Sequence, residues 1–450
     1  MTKSVKVLAL SGLGLVPLDP ATSLNKAIES RPEVIAMDAG SGDIGPYYLG
    51  ADGAYNPDGW ERNDLEHLLL AARRLDVPLI VGSAGGAGTN RSVDLYADAI
   101  RDIAEQHSLG PISLARIYAE LSQDVVLQKL RAGAVTRLGA TEELTEETIR
   151  QSTRFVALMG VQPIVRALRS GANVIIAGRA CDDALHAAYP ILVGLPPAIA
   201  FLAGKTMENA STAATPFMAR ESLLGTLTSD DLLLEAVVPD QSVTVFSLTA
   251  EIFYERRNPF RQAGPGGCLD LSELTITPEG RGVRLKGAQY VEDPVCKVKM
   301  EGAGFRGFRS LSIVGIRDPR MIARIDSVLL GIRHLVSDRY RKVQHHLFFH
   351  VYGKDAIMRS LEPTKTPAHE LGVLIEVSAP TQALADEISI FAKRSNFLAR
   401  YEGQKATAGS VSYTVDECLP GLPAYVWTAD HLVELADPYE WFPMEMESIA

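Results

Sequence analysis

Along the first two hundred residues, short apolar runs alternate with longer segments whose apolar positions recur every three or four residues. The runs at 5–10, 32–37, 77–81 and 173–177 are largely apolar, as strands buried on both faces of a parallel sheet must be, and 112–121 reads as a further strand. Between them, residues 60–75 place Leu65, Leu68, Leu69 and Ala72 on one helical face, and amphipathic helices are also expected at 91–106 and 124–131. Residues 141–154 open with capping residues and acids and end in basic residues, which reads as a solvated helix start. Alternation of this kind predicts an α/β fold built on a parallel sheet. Beyond about residue 225 the texture changes, with strand-like pieces at 242–248, 311–316 and 371–377 and helices expected at 319–330 and 381–400. The expected organisation is therefore a parallel-sheet N-terminal α/β domain over 1–225 and a second, mixed α+β domain over 226–450.

In a parallel sheet, ligands bind beyond the carboxyl ends of the strands. The segments that follow the strands here are Ser11-Gly-Leu-Gly14, Asp38-Ala-Gly-Ser-Gly-Asp43, Gly82-Ser-Ala-Gly-Gly-Ala-Gly-Thr-Asn90 and Gly178-Arg-Ala-Cys-Asp-Asp183. The glycines at 82, 85, 86 and 88 allow positive φ and close approach of backbone N–H groups to a ligand, and the helix that follows presents its positive end. An anion-binding loop is expected, with Ser83, Gly85, Gly86, Thr89 and Asn90 as substrate-binding residues. Asn90 also suits a helix cap, and the whole loop also suits a tight strand-to-helix turn without a ligand. The loop has neither the lysine of a P-loop nor the spacing of a dinucleotide fingerprint.

The candidate acids and bases lie at the same strand ends. Asp38 and Asp43 flank Ser41 and suit a general base or the ligands of a hard divalent cation such as Mg; ordinary turn chemistry is the alternative. Arg179 offers a guanidinium fork for a substrate carboxylate, with Asp182 beside it as a further acid or base, or the two form an ion pair that holds the loop. Glu120 becomes a base if burial raises its pKa. Cys181 has no neighbouring histidine to activate it, and Cys268, in the glycine-rich turn Gly264-Pro-Gly-Gly-Cys-Leu-Asp270, is an alternative nucleophile. On a strand, His346 and His350 stand about 13 Å apart, too far to share one metal ion, so with His345 they read as residues at the edge of a core.

Composition narrows the class. The 450 residues carry 44 basic and 55 acidic side chains, a net charge of −11, which argues against nucleic acid or an anionic membrane as partner. Four widely spaced cysteines show neither a disulfide framework nor a zinc knuckle. With no membrane-length apolar run and too short an apolar core for a signal peptide at the start, the expected compartment is the cytoplasm.

The three blocks Asp38–Asp43, Gly82–Asn90 and Gly178–Asp183, together with Leu432-Val-Glu-Leu-Ala-Asp-Pro-Tyr-Glu-Trp-Phe-Pro443, resemble the acyclic terpene utilisation (AtuA) family over nearly the whole chain. The resemblance implies a role in the breakdown of branched, terpenoid and other organic acids. It also implies a small separately encoded protein subunit, because longer members carry an additional small C-terminal domain. The combined expectation is a homo-oligomeric enzyme acting on a small organic acid or acyl substrate, a hydratase or dehydratase-type lyase with Asp38, Asp43, Glu120 and Asp182 as catalytic residues. The alternatives are an acyl or lactone hydrolase using Ser83 or a carboxylate-activated water, and a non-catalytic ligand-binding subunit. The terminal Trp441, Phe442 and Met444 form an adhesive patch if exposed, or dock onto their own domain.

Overall fold

The structure, a computed structural model, describes residues 4–10, 12, 17–18, 23–40, 44–57, 59–139, 141–254, 258–405, 410–413 and 417–450. The chain divides into two compact units, one formed by residues 1–304 with 427–450 and the other by residues 305–426.

At the centre of the first unit, Val5–Leu10, Val34–Asp38, Leu79–Gly82, Val174–Ala177 and Ile112–Ile117 lie side by side in that order, each parallel to its neighbour. Every residue of the three middle strands is buried, which is why they read as unbroken apolar runs. Their two faces feed two separate cores, as the strand period of two requires. Ile35, Met37, Leu79, Val81 and Ile176 pack against Leu65, Leu68 and Leu69 of the helix Trp60–Leu75 and Val93, Tyr96 and Ile100 of the helix Asn90–Gln106. Val34, Ala36, Ile80 and Ile175 point the other way, toward the helices Val161–Arg169, Asp182–Leu192 and Pro197–Met207.

Antiparallel strands complete this mixed sheet. Ser222–Leu227, Leu232–Ala236, Gly282–Lys286 and Thr275–Glu279 extend it beyond Val5–Leu10, and Met444–Ile449 pairs with Ile112–Ile117 at the other edge. The second unit is an α+β arrangement: His346–Tyr352, Leu371–Ala379 and residues 308–316 pair antiparallel, and Ile325–Arg339 and Gln382–Phe397 supply helical residues to its core. No helix among the described residues is long and apolar enough to cross a membrane.

Two local expectations are corrected. Residues 242–248 form only the two-residue strand Ser242–Val243 before the helix Val245–Phe253 begins. Thr244 Oγ1 accepts from the Ser247 N–H at 3.0 Å while Ser247 Oγ accepts from the Thr244 N–H at 3.0 Å, a reciprocal cap that outweighs the β-branched composition. The run 112–121 breaks at Tyr118, whose N–H donates to the Pro443 carbonyl at 3.0 Å, and Glu120–Leu121 pairs instead with Arg154–Ala157. Of the two readings of the terminal aromatic segment the structure shows docking: Trp441 is 5% exposed and Phe442 0%, both in the first unit's core. Arg166 stacks over Tyr439 and donates to the Phe442 carbonyl at 2.7 Å, which fastens the segment down.

Two glycines test this packing with opposite signs. A Cβ at Gly204 would stand 2.4 Å from the Asp183 carbonyl oxygen, so Gly204→Ala should cost about 1–3 kcal/mol by forcing its helix from Asp182–Leu192. Gly331 is exposed within a helix and meets nothing within 4 Å, so Gly331→Ala should stabilise by about 0.5–1 kcal/mol. Urea unfolding of both variants measures the pair.

Candidate functional site

The loops that follow three adjacent parallel strands are stitched together by their backbones. Ala39 N–H donates to Gly82 O at 3.0 Å, Ser83 N–H to Gly178 O at 3.0 Å, and Arg179 N–H to Gly88 O at 3.2 Å. Side chains would not fit between them. A Cβ at Gly40 would lie 2.4 Å from both the Gly86 oxygen and Ser83 Cβ, and one at Gly88, whose φ is +68°, would lie 2.2 Å from the Arg179 nitrogen. The loop glycines are thus required for packing of loop on loop.

This stitching buries a charged cluster. Arg179 is 6% exposed and Glu301 5%; Arg179 Nε donates to Glu301 Oε2 at 3.0 Å and Nη2 reaches Oε1 at 3.5 Å. Lys299 Nζ adds a contact to Glu301 Oε1 at 3.0 Å. Burial favours the neutral acid at Glu301, but Arg179 and Lys299 overcome it and hold its pKa low. Asp38 is buried too and feels the Arg179 charge. Its Oδ2 accepts from the Gly40 N–H at 3.0 Å, and burial, with Asp182 adding to it, pushes its pKa well above the usual carboxylate range despite Arg179. Asp182, half-buried at the start of its helix, is pushed up to about 6 by burial, with Arg179 opposing. Two buried polar atoms in this cluster have no hydrogen-bond partner among the described residues: Asp38 Oδ1 and Arg179 Nη1. An unpaired buried donor and an unpaired buried acceptor each cost roughly 1–3 kcal/mol, and a bound polar ligand would relieve both.

The other candidates are placed differently. Ser83 Oγ accepts from the Ala180 N–H at 3.3 Å and donates to the Ala180 carbonyl at 3.4 Å, so its hydroxyl is tied to backbone. Glu120 is engaged through both oxygens, one ion-paired with Arg154 and the other accepting from the Asn90 N–H at 3.1 Å. Asn90 Oδ1 returns a bond to the Glu120 N–H at 3.2 Å. The cap of that helix is Thr89, which accepts from the Ser92 N–H at 3.3 Å and donates to Asp52 Oδ1 at 2.6 Å. Glu120, Asn90 and Thr89 therefore anchor a helix start and do not join the Asp38–Arg179 cluster. Gly85 and Gly86 are buried in the loop with φ of +67° and +90°. Ser41 and Asp43 lie outside the described residues. No group of three or more His, Cys, Asp or Glu is arranged to hold a metal ion among the described residues. Burial and Asp183 raise the Cys181 thiol pKa well above its ordinary value, so it stays protonated.

Sequence reasoning passed over Glu301, Lys205 and Glu208. Lys205 is the single charge in the otherwise uncharged helix Pro197–Met207, a local signal that it needs a partner; it pairs with Glu208. Burial pushes Glu208 up to about 8 against the pull of Lys205. Glu301 carried no such signal, because its partner stands 122 residues earlier.

A family model described as acyclic terpene utilisation family protein AtuA matches residues 5–192 and 236–426, stretches that contain Asp38, Ser83, Arg179, Asp182 and Glu301. No curated protein and no solved structure matches the chain.

A carboxyl whose pKa is higher folded than unfolded binds its proton more tightly when folded. The stability it lends is full below the unfolded value, about 4, and is lost as the pH rises through the folded value. For Asp182 the loss extends to about 6 and for Glu208 to about 8. The urea-unfolding free energy should therefore fall between pH 5 and pH 8, and Glu208→Gln should remove the part of the decline nearest pH 8. A wild-type profile that is flat over this range would contradict the assignment.

Proposed function

We propose, from the premise that this chain belongs to the acyclic terpene utilisation family AtuA and so has a catabolic role, that it is an acid–base enzyme acting on a small organic acid. The reaction proposed is elimination of water from a 3-hydroxy acid, or its reverse. The observation that carries the reading is the pair of unpartnered buried atoms, Asp38 Oδ1 and Arg179 Nη1, in one electrostatically coupled cluster. A substrate carboxylate oxygen satisfies Arg179 Nη1. The charge of Arg179 is already balanced by Glu301, so this contact orients the acid and spreads negative charge as it develops.

Two carboxyl groups whose pKa values are pushed to different heights divide the proton-transfer roles. With a pKa near 6, Asp182 is mostly ionised at pH 7 and takes the proton from C2. Asp38, held further toward the neutral acid, gives its proton to the departing C3 hydroxyl. The C2–H and C3–O bonds break, a C2=C3 double bond forms and water leaves, so atoms and charge balance. Ser83, bonded at both ends to Ala180, also acts on the Asp38 carboxyl, whose pKa it pulls down, and serves here as a neighbour of the acid and not as a nucleophile.

Purified wild-type protein assayed with branched 3-hydroxy and 2-enoic acids, offered free and as thioesters, should change the absorbance of the conjugated double bond. Asp38→Asn and Asp182→Asn should each lower kcat on the order of a hundredfold or more while the fold is retained. Arg179→Lys keeps the charge but loses the planar edge, and should act chiefly on KM. Exchange of the C2 hydrogen of a branched acid in deuterated water provides a second readout, which needs only the base. Full turnover by Asp38→Asn would refute the reading.

A further inference from the structure

We infer that the outward face of the helix Val245–Phe253 docks on the same face of a second copy of this chain. The two helices cross antiparallel about a two-fold axis that passes beside Thr249 and Ala250.

The helix is apolar on both sides. Leu248 and Ile252 are buried in the first unit's core, and Glu251, its one charged residue, is buried with them and accepts from Asn209 Nδ2 at 2.7 Å. With about 100° of rotation per residue, positions 246, 249, 250 and 253 point the opposite way. They are Phe246, Thr249, Ala250 and Phe253, and Phe246 is 86% exposed and Phe253 36%. A helix that is apolar all round is ordinarily a buried one. Beside it, Phe260 meets Phe253 edge to face with ring centroids 5.9 Å apart and is 47% exposed, and Tyr254, which follows the helix, is 41% exposed.

The order of the side chains, their charge and their area all select a second copy. Large, small, small, large at 246, 249, 250 and 253 reads the same in both directions, and a two-fold contact requires such a self-complementary patch. In an antiparallel pair, Phe246 of each copy meets Phe253 of the other, while Thr249 and Ala250 let the axes approach to about 8 Å. The chain carries a net charge of −11, so two copies repel at long range, yet none of the four outward positions is charged. Contact there brings no like charges together. At about 200 Å² for a whole aromatic side chain, Phe246, Phe253, Tyr254 and Phe260 expose roughly 400 Å² per copy. The exposed Val245 and Ala250, with Thr249, raise the total for two copies to about 1,000 Å², the size at which a specific interface begins.

Sedimentation equilibrium of the full chain at micromolar concentrations tests the contact. The wild type should show the mass of two chains or an even multiple. Phe246→Glu should halve that mass and raise the dissociation constant on the order of a hundredfold, because it buries an unpaired charge at the interface. Its urea unfolding as a separate chain should be unchanged, since Phe246 is exposed there. Ala250→Cys stands near the axis and should give a disulfide-linked dimer with oxidised glutathione, beyond any that the wild type forms. A wild type that stays a single chain, an assembly that Phe246→Glu leaves intact, or dissociation by Phe246→Glu without cross-linking of Ala250→Cys overturns the inference. A single-chain wild type that sediments with phosphatidylcholine vesicles, and loses this in Phe246→Glu, also overturns it and makes the face a membrane contact. All of these readouts are independent of turnover, so the acid–base reading stands or falls separately.

Discussion

The buried ion pair of Arg179 and Glu301 is the contact on which the rest of the cluster depends. It joins the loop after one parallel strand to a strand 122 residues further along, and it decides what charge the neighbouring carboxyls can carry. Removing one partner from such a pair leaves an uncompensated buried charge, at a cost of roughly 3–5 kcal/mol. The same pair occupies the Nε and Nη2 edge of the guanidinium and leaves Nη1 facing the Gly40 side of the loop. The orientation of that free edge is therefore a property of Glu301 as much as of Arg179 itself.

Much of the sheet was legible in the sequence for a physical reason. Strands buried on both faces tolerate only apolar residues, so Val34–Asp38, Leu79–Gly82 and Val174–Ala177 announced themselves. The rule that loops gather at the carboxyl ends of such strands then located Asp38, Ser83 and Arg179 at one place. The glycine loop was legible as a loop, but its use was not. Spacing shows that positive φ is needed; only coordinates show that Gly40, Gly86, Gly88 and Arg179 press against one another.

What was hidden depends on partners far along the chain. Glu120 read as a free carboxylate because nothing local reveals that Arg154 and the start of another helix would claim it. Val245 and Phe246 suit a strand as well as a helix, and the reciprocal bonds of Thr244 and Ser247 decide for helix. Trp441 and Phe442 could be read as exposed or as docked, because their cover comes from parts of the first unit's core hundreds of residues upstream.

The connectivity of the two units imposes an order on synthesis. Residues 305–426 are inserted between two parts of the first unit, and the later part carries Trp441, Phe442 and the edge strand Met444–Ile449. A nascent chain that has already emerged past Glu301 possesses every described member of the acid–base cluster, yet the outer edge of Ile112–Ile117, opposite Val174–Ala177, is still unpaired and its core lacks two aromatic rings. The inserted unit has to be translated before that gap closes. Apolar surface meant for the chain terminus stays open in the meantime, the interval in which a long-range topology is most exposed to aggregation.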